Sequence, residues 1–199
     1  MSSFIYKNIT VYRAVMQVLY KGKYAERLDP VKKILIEKKC QSVLELCFAD
    51  TLIASFCNKN KIKWMGLDLN KKFVERANKK GFTAEYSDLN YSVNLPKNKT
   101  IVMMGSLYHF QKDEVPFLLN ALSSTDLFIL NEPVINLSQK KMTAKLSASL
   151  TDVGKGPEKY RYSKASLLKL AEEICEICSF SFYIAHEGKK DLTLVFERK

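Results

Sequence analysis

Val43-Leu44-Glu45-Leu46 runs directly into Cys47-Phe48-Ala49-Asp50-Thr51, and Gly66-Leu67-Asp68 follows about twenty residues after Phe48. The first four residues are a short apolar run, the next five a loop of small and polar residues. Leu52, Ile53, Phe56 and Cys57 then keep a helical spacing. This is a strand, a loop and a helix in succession. In a doubly wound sheet the loop after the first strand meets a cofactor, and an acid at the end of the second strand receives ribose hydroxyls. Here the loop is 47–51 and the acid is Asp68.

The rest of the chain repeats that unit. Gln41–Cys47, Lys63–Leu69, Thr83–Ser87, Thr100–Gly105 and Asp126–Asn131 are short apolar, often β-branched runs expected as five buried strands. Between them, helical sets follow Asp50-Thr51, Asn70 and Asp113, residues able to cap free N–H groups. Alternation of this kind implies an α/β, doubly wound, mainly parallel sheet. At the C-terminal side Ser163 can cap a helix through Leu167, Leu170, Ala171 and Ile174. Ser179–Ala185 and Asp191–Glu197 then read as an antiparallel hairpin, bringing the sheet to seven strands. At the other side, Leu28–Lys39 is an amphipathic helix preceded by an arm, 1–27, that carries Tyr6, Tyr12, Tyr20 and Tyr24 and is placed to cover a crevice. Residues 136–162 are polar and lysine-rich and leave the fifth strand, where open α/β sheets bind ligands, so they are a candidate substrate lid.

Composition sets bounds. A chain of 199 residues, 47% hydrophobic, is expected to form one domain, 1–199. Lys7, Arg13 and Lys21 interrupt the N-terminal apolar residues and no later run nears the ~18 residues of a membrane span, so a soluble cytoplasmic protein is expected. Five cysteines, Cys40, Cys47, Cys57, Cys175 and Cys178, suit reduced core thiols. Cys175 and Cys178 form a C-x-x-C, but with no second pair and only two histidines no metal site is expected. The net charge of +11 comes mostly from lysine; only Arg13, Arg27, Arg76, Arg161 and Arg198 offer guanidinium forks. A solvated lysine surface is favoured over a nucleic-acid face.

With these residues in place, the chain resembles the S-adenosylmethionine-dependent methyltransferase family, of the class I, Rossmann-like kind. Val43-Leu44-Glu45-Leu46 with its loop resembles that family's first motif, Gly66-Leu67-Asp68 its second, and Ser87-Asp88-Leu89 its third. Met104-Gly105-Ser106-Leu107-Tyr108-His109-Phe110 resembles the fourth, and Leu130-Asn131-Glu132-Pro133 is similar to the fifth-strand end. The resemblance runs from about Val31 to the hairpin. It implies a cofactor site of Glu45, Cys47, Phe48, Asp50, Asp68, Leu69, Ser87, Asp88, Leu89, Gly105 and Ser106. The departure lies in the first loop, where Cys47, Ala49 and Thr51 stand in place of the family's glycines.

Charge helps to select the ligand. A dinucleotide pyrophosphate wants glycine-supplied N–H groups at a helix N-terminus. This loop has no glycine and carries Asp50 there, and Glu45, Asp50, Asp68 and Asp88 fall at strand ends. An acidic crevice suits a ligand with an ammonium and a sulfonium, so S-adenosylmethionine is the expected cofactor and S-adenosylhomocysteine the product. His109 follows the fourth strand and is the candidate general base; Tyr108 shapes the pocket and Glu132 orients an amine or hydroxyl acceptor. A compact chain without a recognition domain suits a small-molecule or sugar-derivative acceptor. Two alternatives stand beside this: an RNA methyltransferase using the basic surface, and a degenerate, noncatalytic binding or scaffold protein.

Overall fold

The computed structural model describes residues 8–90, 94–134 and 161–199. Of the expected substrate lid only Arg161 and Tyr162 fall among them; the rest of 136–162 lies outside the described residues. Chain order gives α1 (Ile9–Leu19), a 3-10 turn (Ala25–Leu28), α2 (Asp29–Glu37), β1 (Ser42–Leu46), α3 (Leu52–Lys59), β2 (Lys63–Asp68), α4 (Lys71–Lys79) and β3 (Thr83–Tyr86). It continues with β4 (Thr100–Met104), a 3-10 turn (Leu107–Phe110), α5 (Glu114–Ser123), β5 (Leu127–Pro133), α6 (Lys164–Ile177), β6 (Phe180–Glu187) and β7 (Asp191–Arg198).

The seven strands form one sheet in the order β3-β2-β1-β4-β5-β7-β6. The first five are parallel; β7 runs antiparallel to β5, and β6 to β7. This is the α/β, doubly wound architecture with a C-terminal hairpin. The winding direction reverses between β1 and β4, and a crevice opens there beyond the carboxyl ends of the strands.

Period-two alternation divides the sheet's side chains between two cores. Leu44, Leu46, Ile101, Met103, Phe128 and Leu130 pack with Phe117, Leu118 and Ala121 of α5 and with Leu167, Leu170 and Ile174 of α6. Val43, Val102, Ile129 and Val195 face the other way, toward residues of α1 to α4 such as Met16, Leu35, Ile53 and Phe73. The arm thus belongs to the second core through Ile9, Tyr12, Met16 and Tyr24. No described helix is long and apolar enough to cross a membrane.

Three details depart from expectation. Thr83–Tyr86 is an edge strand in which only Ala84 is buried, because no strand among the described residues pairs with its outer side. Asn70 and Ser163 cap their helices, the latter in a capping box with Ser166, whereas Asp113 makes no side-chain cap bond. Finally, β5 continues to Pro133 because Glu132 and Pro133 pair with Leu192 and Asp191 of β7. That extra length carries Glu132 into the sheet, not past its end.

Candidate cofactor crevice

The loop after β1 is built on left-handed backbone. Cys47 has φ 55° and Ala49 φ 45°. Glycine adopts this conformation freely, whereas a Cβ makes it cost roughly 1–2 kcal/mol. Both residues stand where the resembled motif has glycines, so the loop keeps the glycine-type path without the glycines. The conformation is held from the second strand: Cys47 N–H donates to the Leu67 carbonyl at 2.8 Å and Ala49 N–H to Asp68 Oδ2 at 2.9 Å. Asp68 Oδ1 accepts from Asn70 N–H at 2.7 Å. One carboxylate therefore fixes the loops after both β1 and β2. Burial lifts its pKa to about 6, against the lowering effect of those two N–H groups.

Glu45 and Asp50 also serve the loop. Glu45 is buried, and its Oε2 accepts from the Trp64 indole at 2.8 Å; burial raises its pKa well above the usual value, with the indole acting the other way. Trp64 packs edge-on against Phe48 with centroids 5.3 Å apart. Gly66 lies beneath this pair, where an added Cβ would come within 2.3 Å of the Trp64 ring and 2.6 Å of Phe48. Asp50 Oδ1 accepts from Leu52 N–H at 2.9 Å, and its Oδ2 lies 3.7 Å from Arg13 Nε. Burial raises its pKa, offset by Leu52 N–H and Arg13. The acids that seemed to make the crevice negative are thus largely engaged by the protein itself. Farther along, Ser87 N–H donates to the Asp68 carbonyl at 3.0 Å, which sets Ser87 and Asp88, both half-buried, and buried Leu89 beyond β2 and Leu69.

Beyond β4, Gly105 has φ 61° and its N–H donates to the Asn131 carbonyl at 2.7 Å. Glu132, fully buried, accepts from Ser106 N–H at 2.6 Å and Leu107 N–H at 2.7 Å through Oε1. Its pKa is raised to about 7 by burial, with those N–H groups and Arg27 opposing. Its first role is therefore to clamp the turn that carries Tyr108 and His109. The His109 ring sits 4.0 Å from that of Tyr108, and the Arg161 guanidinium lies 3.7 Å above the Tyr108 ring. Burial, with help from Arg161, lowers the His109 pKa to about 3, so the imidazole is neutral. His109 Nδ1 and Glu132 Oε2 are buried and have no hydrogen-bond partner among the described residues.

The expected residues thus form one line along the carboxyl ends of β2, β1, β4 and β5. What the sequence reading missed is what the arm brings to it. Arg27 Nε bonds Asn131 Oδ1 at 3.2 Å and pairs with Asp191 Oδ1 at 3.3 Å. Tyr20 donates to the same Asp191 oxygen at 3.0 Å, and Asn131 Nδ2 donates to Thr193 at 2.8 Å. An added Cβ on Gly105 would lie 2.2 Å from Arg27 Nη2, and that Nη2 is itself buried without a hydrogen bond among the described residues. Burial works against the Arg27 charge, but Tyr20 and Asp191 outweigh it and its pKa is raised. No local motif marks Arg27 or Asp191. The one available signal was the arm's mixture of tyrosines with Arg13 and Arg27. Among the described residues, no group of His, Cys, Asp and Glu able to hold a metal includes Cys175 or Cys178.

No protein-family model matches the sequence, and no curated protein matches it. Solved structures do. Magnesium protoporphyrin IX methyltransferase (ChlM) from Synechocystis PCC 6803 with bound SAH superposes with a TM-score of 0.67 at 16% identity, covering 94% of this chain and 87% of that one. The plantazolicin methyltransferase BpumL in complex with SAH gives 0.65 at 10% identity, over 88% and 82%. The N-terminal domain of EvdMO1 with SAH bound gives 0.64 at 14%, over 88% and 81%. Strand order, the crevice at the β1/β4 reversal and these likenesses agree: the chain has the Rossmann-like fold of the class I, S-adenosylmethionine-dependent methyltransferases.

Proposed function

We propose that this chain binds S-adenosylmethionine in the crevice and transfers its methyl group to a small molecule or sugar derivative, at oxygen or nitrogen. The observation that carries this reading is the left-handed backbone at Cys47 and Ala49, tied to Asp68. Two non-glycine residues are held in an unfavourable conformation at the point where the strand order reverses, and strain of this kind collects at ligand sites. The names of the magnesium protoporphyrin IX and plantazolicin methyltransferases point to small acceptors and support the same choice here.

The residues present fit the cofactor. Arg27 Nη2 offers an unmatched donor to its carboxylate, and Asp68 retains lone pairs for ribose hydroxyls. Ser87, Asp88 and Leu89 frame the adenine, and Gly105 and Ser106 border the methyl group. When bound, the cofactor supplies an electrophilic methyl group. The protein aligns the acceptor with it, excludes water and takes up the proton that the acceptor gives up. His109 is already in the neutral form that a base requires, while its low pKa limits how strongly it draws the proton. Glu132 keeps it in place through the backbone of Ser106 and Leu107.

Calorimetry with S-adenosylmethionine and S-adenosylhomocysteine tests the first half of the reading. Saturable one-to-one binding is expected, and failure of both ligands to bind would leave the noncatalytic scaffold reading. Screening small acceptors with labelled methyl donor tests the second half. With an acceptor in hand, His109→Ala is expected to lower kcat by about 10²-fold, the usual contribution of a positioned base, with KM little changed. An unchanged kcat removes His109 as the base.

A further inference from the structure

The end of the sheet opposite the crevice carries a different chemistry. The starts of the parallel strands and the carboxyl end of antiparallel β7 are tied in a row: Lys63 N–H donates to the Gln41 carbonyl, Leu127 N–H to the Lys99 carbonyl, and Arg198 N–H to the Asp126 carbonyl. Along this row, or in the turns entering it, stand Lys38, Lys39, Lys59, Lys61, Lys63, Lys97, Lys99, Arg198 and Lys199, all exposed. Exposed Glu173 and Glu176 stand near the C-terminus of α6 at this end, and three further acids are paired. Glu197 pairs with Lys38, Asp126 with Arg198 and Glu37 with Lys33. Lys39, Lys59, Lys61, Lys63, Lys97, Lys99 and Lys199 form no salt bridge among the described residues.

Two features accompany this row. Lys39 (φ 50°) and Lys61 (φ 58°) end their helices in left-handed backbone, as Lys21 (φ 52°) does after α1 away from this end. Lys59 complements the dipole of α3, and Lys97 and Lys99 flank Asn98, whose N–H donates at 3.0 Å to the Ser124 carbonyl at the C-terminus of α5; Lys63 and Lys199 stand at strand ends. In addition, Lys97, Asn98, Lys99, Ser123, Ser124, Thr125, Asp126 and Arg198 line a groove of about 260 Å³ along the same end.

We infer that this end of the sheet docks the phosphate backbone of a nucleic acid. From β2 to β7 the row crosses four strand intervals, ~19 Å at ~4.8 Å each. That is the length of about six phosphates along one strand of a duplex. A linear row beside a polar groove fits a phosphodiester chain better than the plane of a bilayer. Lysines act as point charges on phosphate and do not fork onto bases, so the binding is independent of sequence. β1, five residues long, separates the two ends by about 17 Å, so the phosphates held here do not themselves enter the crevice. The surface therefore localises the protein and leaves the crevice open to a small acceptor. The inference does not depend on the proposed activity.

Fluorescence anisotropy of the full chain with a labelled 20-base-pair RNA duplex of arbitrary sequence is the test. Binding is expected at low salt, weakening as salt rises. The triple variant K61E/K63E/K99E should bind at least tenfold more weakly, with a log–log salt slope shallower by about 2.7 for three lost phosphate contacts. The triple K112E/K169E/K189E, which removes the same charge from exposed positions elsewhere, should stay within twofold of the parent. Equal losses in the two triples would reduce the effect to net charge and overturn the inference. So would no binding at 50 mM salt, or binding to phosphatidylserine vesicles but not to RNA. Circular dichroism of both triples separates these outcomes from misfolding.

Discussion

The two ends of the sheet use charge in opposite ways. Toward the carboxyl ends of the strands, Glu45, Asp50, Asp68 and Glu132 are buried, their pKa values are raised, and each is held by an N–H group of the protein. At the strand starts the charges are lysines in water, seven of them without a salt bridge among the described residues. Buried polar groups are costly to leave unmatched, so the crevice end is where single substitutions should be felt in stability and pH dependence. Exposed charges contribute little to folding, so the lysine end should show itself only in salt-sensitive binding. A division of labour of this kind makes one end rigid and selective and the other adaptable.

Arg27 offers the hardest test of that division. Replacing it with Ala removes the partner of Asp191 and Asn131 in a buried setting, a change that costs ~3–5 kcal/mol. Urea denaturation should show the loss, and Asp191→Asn in the same background should recover part of it by removing the stranded charge. If Arg27→Ala leaves the midpoint unchanged, the arm is not fastened as described. The triple K61E/K63E/K99E, by contrast, should shift stability by less than ~0.5 kcal/mol per site, as surface changes do.

Acidity provides a second test. Asp68 and Glu132 have folded pKa values of about 6 and about 7, above those of free carboxyl groups, so the folded state holds protons that the unfolded chain has released. Their contribution to stability is complete below the free-carboxyl range and is lost as pH rises through about 6 and 7. The melting temperature should accordingly fall from pH 5 to pH 8, and Glu132→Gln, which keeps an oxygen for Ser106 and Leu107, should flatten that fall. A melting temperature that rises across this range would mean both acids are ionised in the fold. His109 adds a kinetic counterpart: with its pKa at about 3, an inflection near 6–7 in the rate of methyl transfer should come from Asp68 or Glu132 and change in Glu132→Gln.

Much of the crevice end was legible because its signals are local. The 43–51 run and Asp68 specify a strand, a turn and an acid within one βαβ unit, and the short continuous apolar runs within Thr100–Met104 and Leu127–Pro133 specify buried strands. The arm was legible only as tyrosines without a destination. Arg27 meets Asn131 and Asp191 across separations of 104 and 164 residues, and sequence spacing carries no record of such meetings. The basic row escaped for a related reason. Lys39, Lys61, Lys99 and Lys199 are scattered through the chain and become neighbours only when the strand order is known. Thr83–Tyr86 was misjudged as buried because composition reports β propensity but not whether a strand lies at an edge. In Glu45 the carboxylate was recognised, but its partner, the Trp64 indole, was not, since that bond depends on β1 and β2 lying side by side.

The smallest expected effect concerns the loop itself. Ala49 has φ 45°, and its side chain is a single methyl group, so Ala49→Gly removes little packing while relieving the left-handed strain. Glycine also adds freedom to the unfolded chain, which offsets ~0.4–1 kcal/mol of the gain. The net is a stabilisation of about 0 to 1.6 kcal/mol, readable as a small rise in urea midpoint. Cys47→Gly is a poorer test, because Cys47 packs against the core beneath the crevice and would leave a void there. If the left-handed path serves a ligand, relieving it in Ala49→Gly should leave affinity for S-adenosylhomocysteine equal or tighter. Weaker binding after Ala49→Gly would mean that the alanine methyl contacts the ligand and that this loop has adapted to its missing glycines, not merely endured them.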